Sequence, residues 1–252
     1  MTTPTIELMS QHGSVRHYKP DPVPESMIEG IVAAGQRAST SSNLQTYSVV
    51  ATTDSAKKEQ LMEISGGQRH IIQAPVFLLW CADFSRLKRV CLHQGYELNA
   101  DYLENFLIAA VDAAIASQNA GLAAESLGLG FCYLGAIRNQ PRRVISLFDL
   151  PELVFPVFGM TLGWPVKAPL IRPRLPLKAV LHWDTYQQDD LPLLEEYDQA
   201  MIETGIYRGR QVDQPDQDPA IYGWMEHSAR RVSKPSRPQL REAVMEAGFS
   251  LR

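Results

Sequence analysis

The most informative segment for the fold is residues 104–130, ENFLIAAVDAAIASQNAGLAAESLGLG. It is apolar almost all round, and eight alanines lie between Ala109 and Ala124. A helix that is apolar on every face belongs in a protein interior or in an interface. Because small side chains let a neighbouring backbone come close, we expect this helix to pack on another helix, within the chain or across a dimer. Gly128 and Gly130 are expected to end it.

The segments around this helix alternate between helical and extended patterns. PVFLLWCA (75–82) is continuously apolar, which predicts a strand buried on both faces. Pro24 opens a helix, and Asp54 can cap another that stops at Gly66-Gly67. This order predicts one α+β domain with a buried central sheet and helices around it. Further strands are predicted over YSVVATT (47–53), FCYLGAI (131–137) and LVFPVFGMTLGW (153–164), followed by a proline-rich loop (168–177), a helix (189–205), a polar loop (208–219) and a last helix at about 238–247.

Composition excludes several classes of protein. With 252 residues and a formal net charge of −4, the chain lacks the basic excess of a general nucleic-acid or membrane-surface binder. Neither a targeting signal nor a membrane span is predicted. Three cysteines without a CxxC pair suggest neither a disulfide framework nor a zinc site, and no other metal site is expected. We therefore expect ordinary thiols in a reducing, cytoplasmic compartment.

The segment HGSVRHY (12–18) places three anion-friendly side chains early in the chain. Alternation with period two sends His12, Ser14 and Arg16 to one side of an extended backbone. From the residues alone, this pattern fits chance, a solvated edge, or half of a phosphate site.

Familiar catalytic motifs are missing from the sequence. GLGFCYLG (128–135) fails as a dinucleotide fingerprint, because the helix comes before the strand and Tyr133 stands where a third glycine is needed. P-loop, GxSxG, HExxH and HxE…CxxC patterns are also absent. A catalyst without its own nucleophile or metal has to take its chemistry from an organic cofactor.

Several longer segments carry a resemblance to a known family. They are TIELMSQHGSVRHY, STSSNLQ, SGGQRHIIQAPVFLLWCADF, VDAAIASQNAGLAAESLGLG with its continuation CYLGAIRN, VFGMTLGWP and RPRLP. In this order, and over roughly residues 4–210, the chain resembles the NADPH-dependent FMN oxidoreductase branch of the nitroreductase family.

The resemblance implies a fold and an activity. It implies a single domain over 1–252, with a core over about 1–180 and a C-terminal excursion over about 181–252 that includes a mobile nucleotide-binding loop near 205–220. A central, mostly antiparallel sheet surrounded by helices and an interlocked homodimer with FMN at the interface are also implied. Turnover would be ping-pong, with two electrons passing from NADPH to a nitroaromatic, quinone or related oxidant. The alternatives are a flavin reductase that supplies reduced FMN and a flavin-binding protein with little turnover.

The same resemblance assigns residues to the flavin. His12 and Ser14 would hold the FMN phosphate with Arg172 and Arg174, whose planar forks match phosphate oxygens. Arg16 would lie at the pyrimidine edge of the ring and support the reduced flavin. No side chain is assigned a catalytic step, because flavin N5 is the reactive centre. Further FMN contacts are implied for Thr40, Ser41, Ser42, Gln68, Tyr133, Leu134 and Gly135.

The reductant site is less well defined. Arg208 matches a family arginine that engages the NADPH phosphate, and Arg138 is a plausible helper. The run GRQVDQPDQDP after Arg208 departs from the family pattern, and its three aspartates would repel nucleotide phosphates. Preference for NADPH over NADH therefore stays open. Gly13 is a second departure, since many family members carry another basic residue there.

Overall fold

The computed structural model describes residues 2–210, 218 and 221–252. The chain divides into two compact units, one formed by the residues up to Leu170 together with Arg237–Arg252, and the other by Ile171–Ser236. Labels follow chain order. In the described residues, the first unit holds helices α1 (Pro4–Ser10), α2 (Glu25–Gly35), α3 (Ser55–Ile64), α4 (His70–Gln73), α5 (Ser85–Gln94), α6 (Leu103–Ser126), α7 (Pro141–Leu147) and α10 (Leu240–Glu246), and strands β1 (Tyr47–Thr52), β2 (Val76–Asp83), β3 (Gly130–Leu134) and β4 (Val154–Gly163). The second holds α8 (Leu191–Glu203) and α9 (Trp224–Val232).

The strands form one sheet in the order β1-β2-β4-β3, and every neighbouring pair is antiparallel. All residues of β2 are buried, as its continuous apolar sequence predicts. The α+β class and the antiparallel sheet surrounded by helices are thereby confirmed. The prediction for β3 was too long, because Gly135–Asn139 turn into a short 3-10 helix instead of continuing the strand.

Helix α6 lies in the core of the first unit. Its small residues Ala113, Ala116, Ala120 and Ala124 are completely buried, and they pack in one cluster with residues of β2. Close helix-on-helix contact occurs as expected. A methyl group added to Gly35 of α2 would lie 2.9 Å from the carbonyl oxygen of Ala116. The alanines therefore allow α2 and the sheet to approach the α6 backbone.

One face of α6 is not buried within the chain, whereas the sequence predicts an interior or interface position for the whole helix. Leu103, Leu107, Val111 and Ile115 recur every four residues and are 53, 51, 45 and 43% exposed. We call these four residues the α6 stripe. By length and composition alone, α6 is also the one helix in the described part of the chain that could cross a membrane. Its opposite face packs on α2 and the sheet.

The second unit contains two helices joined by a polar contact. Oδ1 of Asp198 on α8 accepts a hydrogen bond from the backbone N–H of Met225 at 2.7 Å, at the start of α9. Gly223 precedes α9, and a side chain there would collide with the Asp198 carboxylate. The sequence did not predict α9. Residues 211–217 and 219 of the predicted polar loop, including two of its three aspartates, lie outside the described residues, as does residue 220.

Candidate functional site

The segment 12–18 runs beside the sheet in the first unit. The Val15 N–H donates to the carbonyl of Phe131 in β3 at 2.9 Å, and Tyr18 bridges to Pro165 after β4. Gly13 and Val15 are buried, whereas Ser14 and Arg16 are exposed. The alternation predicted from the sequence is therefore present, and it directs the serine and the arginine away from the core.

Gly13 occupies a position without space for a side chain. A Cβ built there would lie 2.7 Å from Cβ of Pro169 and 2.8 Å from the carbonyl oxygen of Leu170. Contacts this short require the backbone to shift, so only glycine fits this packing. The close approach of residues 169–170 accounts for the missing basic residue at this position.

His12 is half-buried and held by a carboxylate. Its Nδ1 lies 2.6 Å from Oε1 of Glu125 near the end of α6, and its ring packs against Phe131 with centroids 5.1 Å apart. Because Nδ1 is engaged by Glu125, Nε2 is the ring nitrogen left for an anion. The other oxygen, Glu125 Oε2, is buried without a hydrogen-bond partner in the described residues. Sequence reasoning missed Glu125, which in the sequence is one of several polar residues in an alanine-rich helix.

The turn before α4 carries Gln68. Gly66 and Gly67 adopt φ of 73° and 80°, a left-handed conformation that glycine tolerates best. The turn continues directly into Gln68, whose Nε2 donates to the carbonyl of Ser65 at 3.1 Å. Ser65 Oγ itself is buried without a partner in the described residues.

Buried His70 connects this turn to the N-terminal segment. Burial, together with the nearby charges of Arg16 and His17, lowers the pKa of His70 from 6.5 to about 4. Its Nε2 has no hydrogen-bond partner in the described residues. Val15 and Tyr18 pack with Ala74 directly after α4, so the segment that carries Arg16 lies against the end of this helix. His70 was not predicted as part of the site.

The end of β3 supplies the next candidate contacts. The hydroxyl of Tyr133 pairs with Ser117 Oγ of α6 at 3.0 Å, and burial raises its pKa. Its ring meets those of Phe131 and Phe158 edge-on. The side chain of Tyr133 is therefore occupied by its own neighbours, while Leu134 is buried and Gly135 begins the turn. What this segment can offer a ligand is mainly its backbone.

Arg138 lies behind Gly135 and points into the protein. A Cβ on Gly135 would lie 3.0 Å from a terminal nitrogen of Arg138, and the guanidinium donates to the carbonyl of Val157. Burial and the charge of Arg237 lower its pKa. A role of Arg138 in binding NADPH stays a prediction, and it would require the side chain to leave Val157.

The serine-rich segment is anchored by a residue that sequence reasoning missed. Asp112 of α6 is buried and accepts hydrogen bonds from the N–H groups of Ser41 and Thr46 at 2.9 and 3.1 Å. Ser42 is exposed and adopts φ of 47°, while Thr40 and Ser41 are half-buried. A lone aspartate among alanines was the available sequence signal for Asp112.

The remaining candidates belong to the second unit. Arg174 is exposed and donates to the carbonyls of Arg172 and Pro173 at 3.3 and 3.4 Å. Arg208 is exposed and folds over Gly205, where a Cβ would lie 3.2 Å from its Nε. The guanidinium carbon of Arg210 lies 5.8 Å from the centre of the Tyr207 ring. Arg208 and Arg210 therefore follow the C-terminal end of α8 (Leu191–Glu203).

Comparison with known proteins identifies the family of this chain. Residues 9–164 match the nitroreductase family, and residues 172–252 match the C-terminal domain of the nitroreductase family. The oxygen-insensitive NADPH nitroreductase of Salmonella typhimurium is 40% identical over 250 residues, which cover 99% of this chain and 100% of that protein. The FMN reductase [NAD(P)H] of Bacillus subtilis is 37% identical, covering 98% of each chain.

A solved structure extends the match to three dimensions. The NADPH:FMN oxidoreductase from Vibrio harveyi complexed with NAD+ has a TM-score of 0.87 and 34% identity, covering 99% of this chain and 100% of that one. Fold and sequence together define a flavoprotein-type oxidoreductase without a dinucleotide-binding module. This chain belongs to the nitroreductase family.

Proposed function

We propose that this protein is an FMN-dependent oxidoreductase that takes two electrons from NADPH and passes them to small oxidants such as nitroaromatics and quinones. The observation that carries the proposal is that the segment of Arg16 packs against Ala74, at the end of the helix that follows Gln68, and bonds to β3 through Val15. The names of the relatives, which include NADPH nitroreductases and FMN reductases, support the same activity. When bound, FMN supplies the atom that accepts and releases the hydride.

The polar groups of the first unit fit an FMN phosphate and a flavin ring. His12, whose ring is oriented by Glu125, can donate from Nε2 to a phosphate oxygen. Ser14, two residues further along the chain, adds an exposed hydroxyl. Arg172 and Arg174 join this phosphate site through the family resemblance alone. Guanidinium groups suit phosphate because their N–H donors match its oxygens in pairs.

In this proposal, Arg16 supplies a positive charge at the polar edge of the ring. Negative charge develops there when the flavin is reduced, so the cation stabilises the reduced form more than the oxidised form. Ser65 Oγ and His70 Nε2, in the neighbouring segment, are buried without a hydrogen-bond partner in the described residues. Backbone groups of Tyr133 to Gly135 complete this side.

A homodimer is part of the proposal. The α6 stripe is apolar and open in a single chain, and strand β1 pairs on one side only within the described sheet. Two cavities of about 550 and 530 Å³ lie between α2 and β1. An open apolar helix face beside an unpaired strand edge is typical of a surface covered by a second subunit. The serine-rich segment would then contact the flavin at that interface.

Reductant and location complete the proposal. Arg208 engages the NADPH phosphate. NADH is retained as a second reductant, because the loop aspartates would repel a nucleotide phosphate; of the three, Asp218 lies in the described residues. Three cysteines without a CxxC motif support the proposal of a reducing, cytoplasmic location. Release of electrons to free flavin instead of a nitro compound or quinone is the alternative within the same class.

Anaerobic rapid mixing tests the function directly. Protein loaded with FMN should lose its flavin absorbance on addition of NADPH, and a nitroaromatic or quinone should restore it. The same mixing with NADH gives the preference between the two reductants. A flavin that stays oxidised with both would mean a flavin-binding protein without turnover, and failure to bind FMN at all would reject the proposal.

A further inference from the structure

Asp112 ties the serine-rich segment to α6 through three hydrogen bonds. Its Oδ1 accepts from the Ser41 N–H at 2.9 Å. Its Oδ2 accepts from the Thr46 N–H at 3.1 Å and from the Thr46 hydroxyl at 2.8 Å. Both ends of segment 41–46 are therefore fixed to one carboxylate, which is 1% exposed. A buried carboxylate with this many donors is well satisfied and holds its partners in place.

The segment between these anchors has an unfavourable backbone. Ser42, Asn43 and Gln45 adopt φ of 47°, 57° and 53°, in the left-handed region that non-glycine residues seldom occupy. Such residues persist only where the surrounding structure fixes the backbone, and they cluster at functional sites. Within the segment, the N–H of Leu44 donates to the carbonyl of Ser41 at 2.8 Å. Asp112 holds this turn together with the Asp83 N–H, which donates to the Thr46 carbonyl at 2.9 Å, and with Arg86, which donates to the Gln45 carbonyl at 2.9 Å.

We infer that Asp112 is a positioning residue for FMN, which acts by holding Ser41 and Ser42 in their binding conformation. The inference rests on the proposed function, which assigns these serines to the flavin. A segment that is ordered before binding does not lose conformational entropy when the ligand arrives, so affinity is higher.

Two variants separate positioning from general stability. Asp112→Asn keeps the shape but replaces one acceptor oxygen by an NH2 group, which cannot accept from a backbone N–H. Because two donors meet Oδ2 and only one meets Oδ1, the amide oxygen is best placed at Thr46, and Ser41 loses its acceptor. Thr46→Val is the matched control, since it removes one hydrogen bond to Asp112 but leaves both backbone bonds intact.

The measurement is FMN affinity of the stripped full-length protein, followed by quenching of flavin fluorescence. We expect Asp112→Asn to raise the FMN Kd by about tenfold or more, as the loss of one charge-assisted contact implies. Thr46→Val should change it by less than about twofold, although both variants lower the thermal midpoint. An unchanged Kd in Asp112→Asn, or an equal increase in both variants, would overturn the inference. Wild-type protein that binds no FMN would reject the proposed function and this role with it.

A second measurement needs no variant and so survives any folding defect. Coupling between two events is reciprocal, so FMN should stabilise the bonds that Asp112 makes to the segment. Hydrogen exchange of the Ser41 and Thr46 amides in the wild-type protein should therefore slow when FMN is added. Bound FMN with unchanged exchange at both amides would contradict the inference.

Discussion

His12 and Glu125 are 113 residues apart in the chain, and their side chains meet at 2.6 Å between Nδ1 and Oε1. The contact joins the N-terminal segment to the end of α6. One ring nitrogen of His12 is thereby fixed, and the other is free to donate to an anion. Carboxylate–histidine pairs of this kind set the orientation of the ring and which nitrogen carries the proton.

Removal of Glu125 should weaken FMN binding. In Glu125→Ala the imidazole of His12 loses its orientation, and a hydrogen bond to a charged group contributes about 1.5–3 kcal/mol. We expect the FMN Kd to rise by about tenfold. Glu104→Ala, at an exposed position on the same helix, is the control and should bind FMN as the wild type does. Equal affinity in the two variants would mean that Glu125 serves the fold alone.

Replacement of Arg16 should lower the flavin potential. Without the guanidinium, negative charge on the reduced ring is less stabilised, whereas the phosphate contacts remain. In Arg16→Ala we expect a decrease of about 30 mV or more, which is about 1.4 kcal/mol for a two-electron couple. Hydride transfer should slow while most FMN stays bound. Redox titration of Arg16→Ala beside Lys19→Ala, an exposed cation in the same segment, checks this, and equal potentials would contradict the placement.

Arg208 should affect NADPH more than NADH. If its guanidinium engages the extra phosphate of NADPH, Arg208→Ala raises the KM for NADPH by roughly tenfold and leaves that for NADH nearly unchanged. FMN content should equal that of the wild type. Lys178→Ala, another exposed cation of the second unit, is the control. Loss of FMN from Arg208→Ala would instead assign the arginine to the phosphate of the flavin.

His70 should make the protein less stable in acid. Its pKa is lowered from 6.5 to about 4 in the folded state, so the folded protein binds its proton less readily than the unfolded chain. This contribution is complete above about pH 6.5, and it is lost as the pH falls toward 4. The difference amounts to roughly 3 kcal/mol at most.

Urea unfolding at pH 7 and pH 5 measures the contribution of His70. The free energy of unfolding should decrease more in the wild type than in His70→Gln, which has no titrating ring. His93→Gln, at an exposed position on α5, should retain the wild-type pH dependence. If His70→Gln lost as much stability as the wild type between the two pH values, the pKa of His70 would not be lowered in the folded protein.

A charge on the α6 stripe should break the dimer. Val111 is 45% exposed in a single chain, and Val111→Glu would bury a carboxylate in the proposed interface. We expect a monomer in light scattering and, because the flavin site lies at that interface, loss of bound FMN. Gln60→Glu adds the same charge at an exposed position of α3 and should stay dimeric. A dimeric Val111→Glu would place the interface elsewhere.

Some features of the site followed from family resemblance and others from local sequence. The family resemblance predicted His12, Ser14, Arg16 and Gln68 as contacts of the flavin. In the structure, the segment of Arg16 packs against Ala74 at the end of α4. The resemblance gave no reason to single out Asp112, Glu125 or His70. Each of these side chains acts through a partner, and a single sequence does not contain the pairing.

Secondary-structure elements and their burial followed from the sequence where they depend on residues close together in the chain. Continuous apolarity made β2 a buried strand, closely spaced alanines let α6 pack against α2 and the sheet, and Asp54 caps α3 by accepting from the Lys57 N–H at 3.1 Å. Each is a rule of spacing over a few residues.

Tertiary structure alone decided which polar groups meet. Asp112 contacts Ser41, 71 positions away in the chain, and Glu125 contacts His12, 113 positions away. Both acidic residues lie on α6, the alanine-rich helix that the sequence indicated only as a core element. Periodicity sets the face on which a side chain lies, whereas its partner depends on how distant elements dock. Because α6 contacts both the serine-rich segment and the N-terminal segment, the same helix that forms the core also positions the proposed flavin site.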